Sequence, residues 1–434
     1  MTLQKSRVLT GAMLVAVGAP LACSQTFRGI GIIPHGWESY ATGVSGDGST
    51  VVGAAYDPNS GAGGVGGFVA IRWHPDSGLE SLGTLPDSDD SSAYGASFDG
   101  TVLSGNVCGY DCQTTQPFRW LAPDGPLEGL GTMPNSSYTF GYGVSDDGST
   151  IVGYGVETGS YDVYPIRWRE ETGVVTLDRF PNGGTAIVHT ASLDGSRLAG
   201  RGWDADGHEQ AARWLDDGSI EGLGFLPDPG PILWSRGRGI TPDGSVVVGT
   251  AHGADGLGGY TYQGFRWTET GGMVGLGVTG PHGNLGTTAA MDVSANGSVI
   301  VGAWGGQLGI GDGSQAAIWH AGIGWQDLAT WLITEHDLEV VEDWTLIEAL
   351  GISNDGSVIV GWGLNRSGLV EGFVATVPVS CPADFNGDGA VNTLDVLAFL
   401  NAWAAGEPQA DFNQDGMVNT LDVLAFLNAW NVGC

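Results

Sequence analysis

One phrase is written seven times. SGDGSTVVG begins at Ser45, and it recurs as SFDGTVLSG at Ser97, SDDGSTIVG at Ser145 and SLDGSRLAG at Ser192. TPDGSVVVG at Thr241, SANGSVIVG at Ser294 and SNDGSVIVG at Ser353 complete the series. Asp-Gly or Asn-Gly between apolar-rich segments makes a hairpin, because Gly accepts positive φ without steric cost. The flanking segments, such as TVVGAAY and GFVAIRW, carry the β-branched and aromatic residues of strands. Four strands fit within each unit. A lone sheet of that size has two faces and cannot bury both. Packing seven sheets side by side around an axis buries them, so the predicted fold is an all-β seven-bladed β-propeller.

Each unit has further parts. A segment ending in Arg-Trp follows five of the phrases, at Arg72-Trp73, Arg119-Trp120, Arg167-Trp168, Arg213-Trp214 and Arg266-Trp267; the sixth unit has Trp319 there. A strand-like stretch then ends at Pro86, Pro134, Pro181 or Pro227. The seventh unit lacks this fourth strand, while TFRGIGIIP, from Thr26, matches it. The N-terminal strand is therefore expected to close the last blade. The stretch Trp331–Leu350 intrudes between the sixth and seventh phrases and reads as an insertion containing a short helix, packed on the rim. The repeated Asp reads as a turn-former. The Arg-Trp pairs read as packing between blades, with Arg paired to a blade carboxylate; a ring of arginines for an anionic or sugar ligand is the competing reading.

Of 434 residues 76 are Gly, and the formal net charge is −33. Such a surface repels phosphate backbones and anionic lipid, which argues against nucleic-acid and bilayer-surface partners. Residues 1–24 read as a signal peptide: Lys5 and Arg7, then the apolar VLTGAMLVAVGAPLA, then Ala22 and Ser24 at peptidase spacing. A rival reading takes PLAC at Pro20–Cys23 as a lipoprotein box. No later stretch is apolar enough to span a membrane. Secretion, to the extracellular space or the cell surface, permits disulfides among Cys108, Cys112, Cys381 and Cys434. Pairing 108 with 112 and 381 with 434 is the most local of three choices, and sequence leaves the other two open.

The C-terminus is of another kind. DFNGDGAVNTLDVLAFLNAW at Asp384 returns at Asp411 with two changes. Calcium takes oxygen ligands at positions 1, 3, 5, 7, 9 and 12 of a twelve-residue loop, with Gly at 6. The first copy offers Asp384, Asn386, Asp388, the Ala390 carbonyl, Asn392 and Asp395. The second offers Asp411, Asn413, Asp415, the Met417 carbonyl, Asn419 and Asp422. Two ions are expected, and the fold should depend on them, because three carboxylates per loop repel without metal. Each loop runs into a helix whose apolar face is predicted as Val396, Phe399, Leu400 and Trp403, or Val423, Phe426, Leu427 and Trp430.

The incoming helix of an EF-hand is missing and position 12 is Asp, so residues 381–434 resemble a type I dockerin. That resemblance implies a cohesin partner and attachment to a scaffold, with Thr393-Leu394 and Thr420-Leu421 facing the partner. The NAWNVGC ending is also similar to compact dockerin-like tails of exported proteins, which implies a cell-envelope partner instead. Across residues 25–379 the seven phrases, with DLATWL and WTLIEALGISNDGSVIVG, resemble HAF-type extracellular repeat proteins, a family defined by pattern that implies export and a β-rich repeat fold. The eight histidines are scattered, and no nucleophile elbow, HExxH or phosphate loop occurs. The expected function is a non-enzymatic binding or display protein taking a glycan or protein ligand; the alternative is a polysaccharide-degrading hydrolase or lyase.

Overall fold

The seven phrases fold into seven copies of one hydrogen-bonded turn. The first Ser or Thr hydroxyl donates to Oδ1 of the Asp or Asn two residues on, at 2.6–3.2 Å. The same Oδ1 accepts the backbone N–H two residues further, at 2.8–3.0 Å. The Ser or Thr Oγ in turn accepts the N–H five residues ahead, at 2.9–3.1 Å. The Gly after the acid has φ between 65° and 82° in all seven, where a side chain would be strained.

The turns are also bonded to one another. Asp47 N donates to Phe98 O, Phe98 N to Asp146 O, Asp147 N to Leu193 O and Leu193 N to Pro242 O, at 2.8–2.9 Å. Ala295 N donates to Asn354 O and Asn354 N to Gly46 O, both at 2.8 Å. The fifth turn makes no such link to the sixth among the described residues. It carries Pro242 at the donor position, and proline has no N–H.

This computed structural model describes residues 25–61, 66–109, 112–278, 286–307, 310–378, 383, 385–386, 391–412 and 417–432. Gln25–Pro378 forms one compact unit, and the chain from Val379 belongs to a second. The first unit is mostly β, built of small antiparallel sheets. Ser39–Val44, Val51–Asp57, Gly67–His74 and Gly78–Gly83 make the sheet of the first phrase, and the fourth, fifth and sixth phrases each have a four-stranded sheet of the same order. The second and third units join as one eight-stranded sheet through a single parallel bridge, Tyr138 to Thr115. The cause is local: the fourth strand of the second unit is only Glu128–Gly129, which leaves the start of Thr115–Leu121 uncovered. In the last sheet Thr345–Ile352, Val358–Leu364 and Val370–Thr376 are joined by Thr26–Gly29, with Phe27 opposite Ala375.

The apolar core lies between neighbouring sheets. Val52 and Ala70 pack with Leu103 and Phe118 of the next unit. Val51 and Ile71 pack with Val360 and Val374 of the last. The glycine that ends each phrase sits where the first two strands press together. A Cβ at Gly53, Gly153, Gly249, Gly302 or Gly361 would overlap a main-chain carbonyl of the first strand. That explains a glycine in mid-strand, which otherwise weakens a sheet.

The insertion is shorter and more deeply placed than its sequence suggests. Helix α1, Leu328–His336, is capped by Asp327, whose carboxylate accepts Thr330 N–H at 2.7 Å. A 3-10 turn, Glu339–Asp343, follows. Residues from Thr345 are already the first strand of the last sheet. Leu328, Leu332, Leu338 and Val341 are buried against Val301, Ile318, Leu346 and Phe373, so the segment fills the space between two sheets instead of lying on a rim.

Gly153→Ala should cost about 2–4 kcal/mol, the range for a core overlap that the backbone must absorb. Urea unfolding of the variant should show a lowered midpoint with unchanged slope.

Candidate functional site

The Arg-Trp pairs have structural partners. Arg72 pairs with Glu80, Arg119 with Glu128 and Arg213 with Glu221, each at 2.6 Å across two strands of one sheet. These guanidinium groups lie over Trp120, Trp168 and Trp267 of the following unit, 4.6–4.9 Å from the ring centres. Arg167 reaches Asp216 instead, and Arg266 donates to the Gly297 carbonyl. The repeated aspartates are likewise consumed by the turns.

A cavity of about 370 Å³ is lined by the first strands of all seven units and the turns that follow them. Three residues before each phrase's Ser or Thr, the chain places Thr42, Tyr94, Tyr142, His189, Arg238, Met291 and Leu350, and all seven line this channel. One residue later stand glycines, except Thr190 and Asp292. The functional side chains thus lie at positions that vary while the frame repeats. Aligning the seven units on the phrase would have exposed them; following the constant residues led instead to the frame.

The channel wall is polar and unevenly charged. Near Arg238, but not themselves lining the cavity, Arg201 and Arg236 both pair with Glu209, a buried carboxylate, and Trp234 Nε1 donates to it at 3.0 Å. Burial opposes ionisation of Glu209, but the two arginines outweigh it and hold it below the usual carboxylate range. Arg238 has no hydrogen bond or ion pair among the described residues. Burial, and then Arg201 and Arg236, bring its guanidinium down to about 10, so it stays charged at neutral pH. His189 packs against Tyr142 with ring centres 5.4 Å apart, and its Nε2 is buried without a partner. Burial first, and then the three arginines, push His189 well below its ordinary value, so it is neutral.

Two carboxylates share the channel. Asp292 accepts Val293 N–H at 2.9 Å and Ile352 N–H of the next sheet at 3.0 Å. Burial outweighs these bonds and raises its carboxyl to about 7. Asp146 is also raised, by burial, against a 2.8 Å bond from Asn354 Nδ2 that crosses from the seventh turn to the third.

In the second unit, α2 (Thr393–Ala405) and α3 (Thr420–Val432) carry the duplicated segments. Phe399 and Phe426 stack at their centre, 4.2 Å apart and nearly parallel. Each helix clips the other copy's loop: Trp403 Nε1 donates to Asn419 O at 2.7 Å, and Trp430 Nε1 to Asn392 O at 2.9 Å. Asn392 and Asn419 cap the helices, accepting from Leu394 N and Leu421 N at 2.8 Å. Asp395 and Asp422 are fully buried, and they accept Asn392 N–H and Asn419 N–H. Asp395 also accepts Asn386 N–H at 3.1 Å, tying the third loop position to the twelfth. The unit is two copies of one loop and helix, locked reciprocally.

Residues 382–431 match the family model of the dockerin type I domain. Such domains bind calcium and cohesins in general, and the proteins that carry them are typically extracellular or held at the cell surface. The dockerin domain's described loop donors are all oxygens, with a buried carboxylate at position 12, which fits a hard divalent cation. Asp384, Asp388, Ala390, Asn413 and Asp415 lie outside the described residues, as do Cys381 and Cys434. Cys108 and Cys112 are joined by a disulfide.

The face expected to pack the two dockerin helices is corrected at one position. Leu400 and Leu427 are exposed, and Ala402 takes the inward place in α2, because Leu400 stands a further 100° around the helix from Phe399. Leu394, Leu397 and Leu400 therefore form an outward stripe, matched by Leu421, Leu424 and Leu427. Thr393 and Thr420 are exposed at the head of each stripe.

No curated protein matches the chain. The solved structures similar to it are propeller-like. An oligogalacturonate lyase in complex with manganese aligns at 13% identity and TM-score 0.49, over 82% of this chain and 97% of that one. The β-propeller domain of the Trilobed protease from Pyrococcus furiosus aligns at 10% and 0.46, over 78% and 95%. TolB from Acinetobacter baumannii aligns at 11% and 0.40, over 77% of this chain and 65% of its own. No helix among the described residues is long and apolar enough to cross a membrane.

Asp292 supplies a pH test. Its folded value is raised, so its contribution to stability is complete below the unfolded value near 4 and is lost as pH rises through about 7. Asp292→Asn abolishes this loss. The stability difference, wild type minus variant, should shrink between pH 4 and pH 7 in denaturant titrations at stepped pH.

Proposed function

We propose that this is an exported, non-enzymatic binding protein. Its body would be a seven-bladed β-propeller that displays or captures a glycan or protein ligand, held to a cohesin-bearing scaffold or cell-envelope protein by a calcium-dependent dockerin domain. The dockerin match at residues 382–431 carries the reading. In this reading residues 1–24 are the signal peptide, 25–379 the HAF-repeat propeller and 381–434 the dockerin domain with two calcium ions. Seven blades and closure are supported by the seven equivalent turns, by the bond from the last turn to the first, and by the pairing of Thr26–Gly29 with Val370–Thr376. The partner face would be the two leucine stripes with Thr393 and Thr420. Because the stripes are equivalent, either helix would present the same surface.

Calorimetry of the full exported chain should resolve a separate tail transition that rises with calcium and falls with chelator. Saturation at about a hundred times the dissociation constant stabilises by about 2.7 kcal/mol. An unmoved transition would sink the calcium assignment. Recovery of a cohesin-type partner by the calcium-loaded chain, and its loss when Leu394, Leu397, Leu421 and Leu424 are all changed to Ser, tests the docking face. Deleting Thr26–Pro34 should lower the body's melting temperature; an unchanged value would refute closure by that strand.

A second reading is favoured by one observation. Asp146 and Asp292 are two carboxyls in one channel, and Asp292, raised to about 7, could be the acid of the pair that a polysaccharide hydrolase with the propeller as catalytic domain would need. A hydrolysis screen on acidic and neutral polysaccharides decides it. Product release that disappears in Asp292→Asn would replace the binding reading.

A further inference from the structure

The channel holds a cation in a strongly acidic chain. The chain carries 15 Lys and Arg against 48 Asp and Glu. Arg238 lines the channel, and Arg201 and Arg236, near enough to act on it electrostatically, both pair with Glu209. Arg238 keeps its charge without a partner. Glu348 acts on it electrostatically, and the Glu348 carboxylate accepts Trp362 Nε1 at 3.0 Å. Arg238 is partly exposed and lines the cavity, so its guanidinium donors are open to a ligand there. Beside it the Nε2 of His189 is buried and unpartnered. Both residues line the cavity.

Aromatic faces continue the wall. Tyr142 stacks on His189, and Tyr94 meets Tyr142 edge-on with centres 5.6 Å apart. Thr42 and Thr190 add hydroxyls to the lining. A ligand suited to this wall has one carboxylate for Arg238, a ring with an apolar face for the tyrosines, and hydroxyls for the Thr, Tyr and His groups. A net charge of −33 opposes any anion at long range, so an anionic ligand must be held by contacts inside the cavity. The volume of about 370 Å³ lies in the range of small-molecule pockets.

We propose that the channel binds an acidic sugar residue, a uronic acid, with its carboxylate on Arg238 and its ring against Tyr94 and Tyr142. The assignment rests on the reading of the body as a ligand-binding protein and names the ligand's chemistry. Carboxylate and guanidinium satisfy each other through charge-assisted hydrogen bonds, the strongest class available to neutral-pH recognition.

The test is calorimetric titration of the full calcium-loaded chain with trisaccharides of glucuronic, galacturonic and mannuronic acid, their methyl esters, neutral trisaccharides of the same linkage, and acetate. At least one uronate should bind, and its ester should bind about tenfold to a hundredfold more weakly, the loss expected for one charge-assisted bond. Arg238→Gln should reproduce that loss for the acid and leave the ester unaffected, and Arg238→Lys should restore part of it. The melting temperature of each variant checks that it is folded. Equal affinity for acid and ester overturns the assignment. So does acetate binding as tightly as the sugar, which would mark a simple anion hole. Binding of neutral trisaccharides alone would overturn the uronate while leaving a glycan-binding body. Binding of no saccharide would remove the glycan reading as well.

Discussion

The structure of the larger unit depends on one hydrogen-bonded turn. A hydroxyl, a carboxylate or amide oxygen and two backbone N–H groups close a small circuit at Ser45–Thr50 and again at six other places. The circuit satisfies polar groups that the hairpin would otherwise bury unpaired. It also sets the register of the first two strands of each sheet, and through the turn-to-turn bonds it sets the spacing of neighbouring sheets. At the fifth turn Pro242 removes the donor that the second, fourth, sixth and seventh turns use. With the frame fixed at the turns, the strand before each turn is free to carry any side chain that fits the channel.

That division explains where function could be read and where it could not. Asp47, Asp99 and their equivalents are conspicuous because they recur, and they recur because every turn needs them. Tyr142, His189, Arg238 and Asp292 each appear once. Nothing in the local sequence marks them as neighbours, since about fifty residues separate each from the next. They meet only because the first strands of successive units line one cavity. The Arg-Trp pairs are conspicuous for the same reason as the aspartates, and three of the five have a comparable explanation: Arg72, Arg119 and Arg213 each bridge a glutamate of their own unit and a tryptophan of the next, as Arg72 does with Glu80 and Trp120.

The C-terminal module behaves differently because its chemistry is local. Loop ligands fall within twelve residues, so their order along the chain is already their order around an ion. The dockerin match agrees with that reading. Packing was less legible. The crossing of Trp403 and Trp430 onto each other's loops is a contact between copies, and neither copy alone encodes it. The inward place of Ala402 and the outward place of Leu400 follow from the close Phe399–Phe426 stack, which admits a small side chain beside it and excludes a larger one.

By itself the sequence determined the repeat, its turn chemistry, the mostly-β character of the body and the duplicated calcium-type loops, because each is written in residues close along the chain and acts through short-range backbone geometry. The tertiary structure alone decided the unequal joining of the second and third units, the burial of α1 between two sheets, and the placing of Tyr142, His189, Arg238 and Asp292 along one cavity. Those features arise from contacts across tens to hundreds of residues, whose free energy depends on which surfaces meet when the sheets pack, and no local pattern reports it.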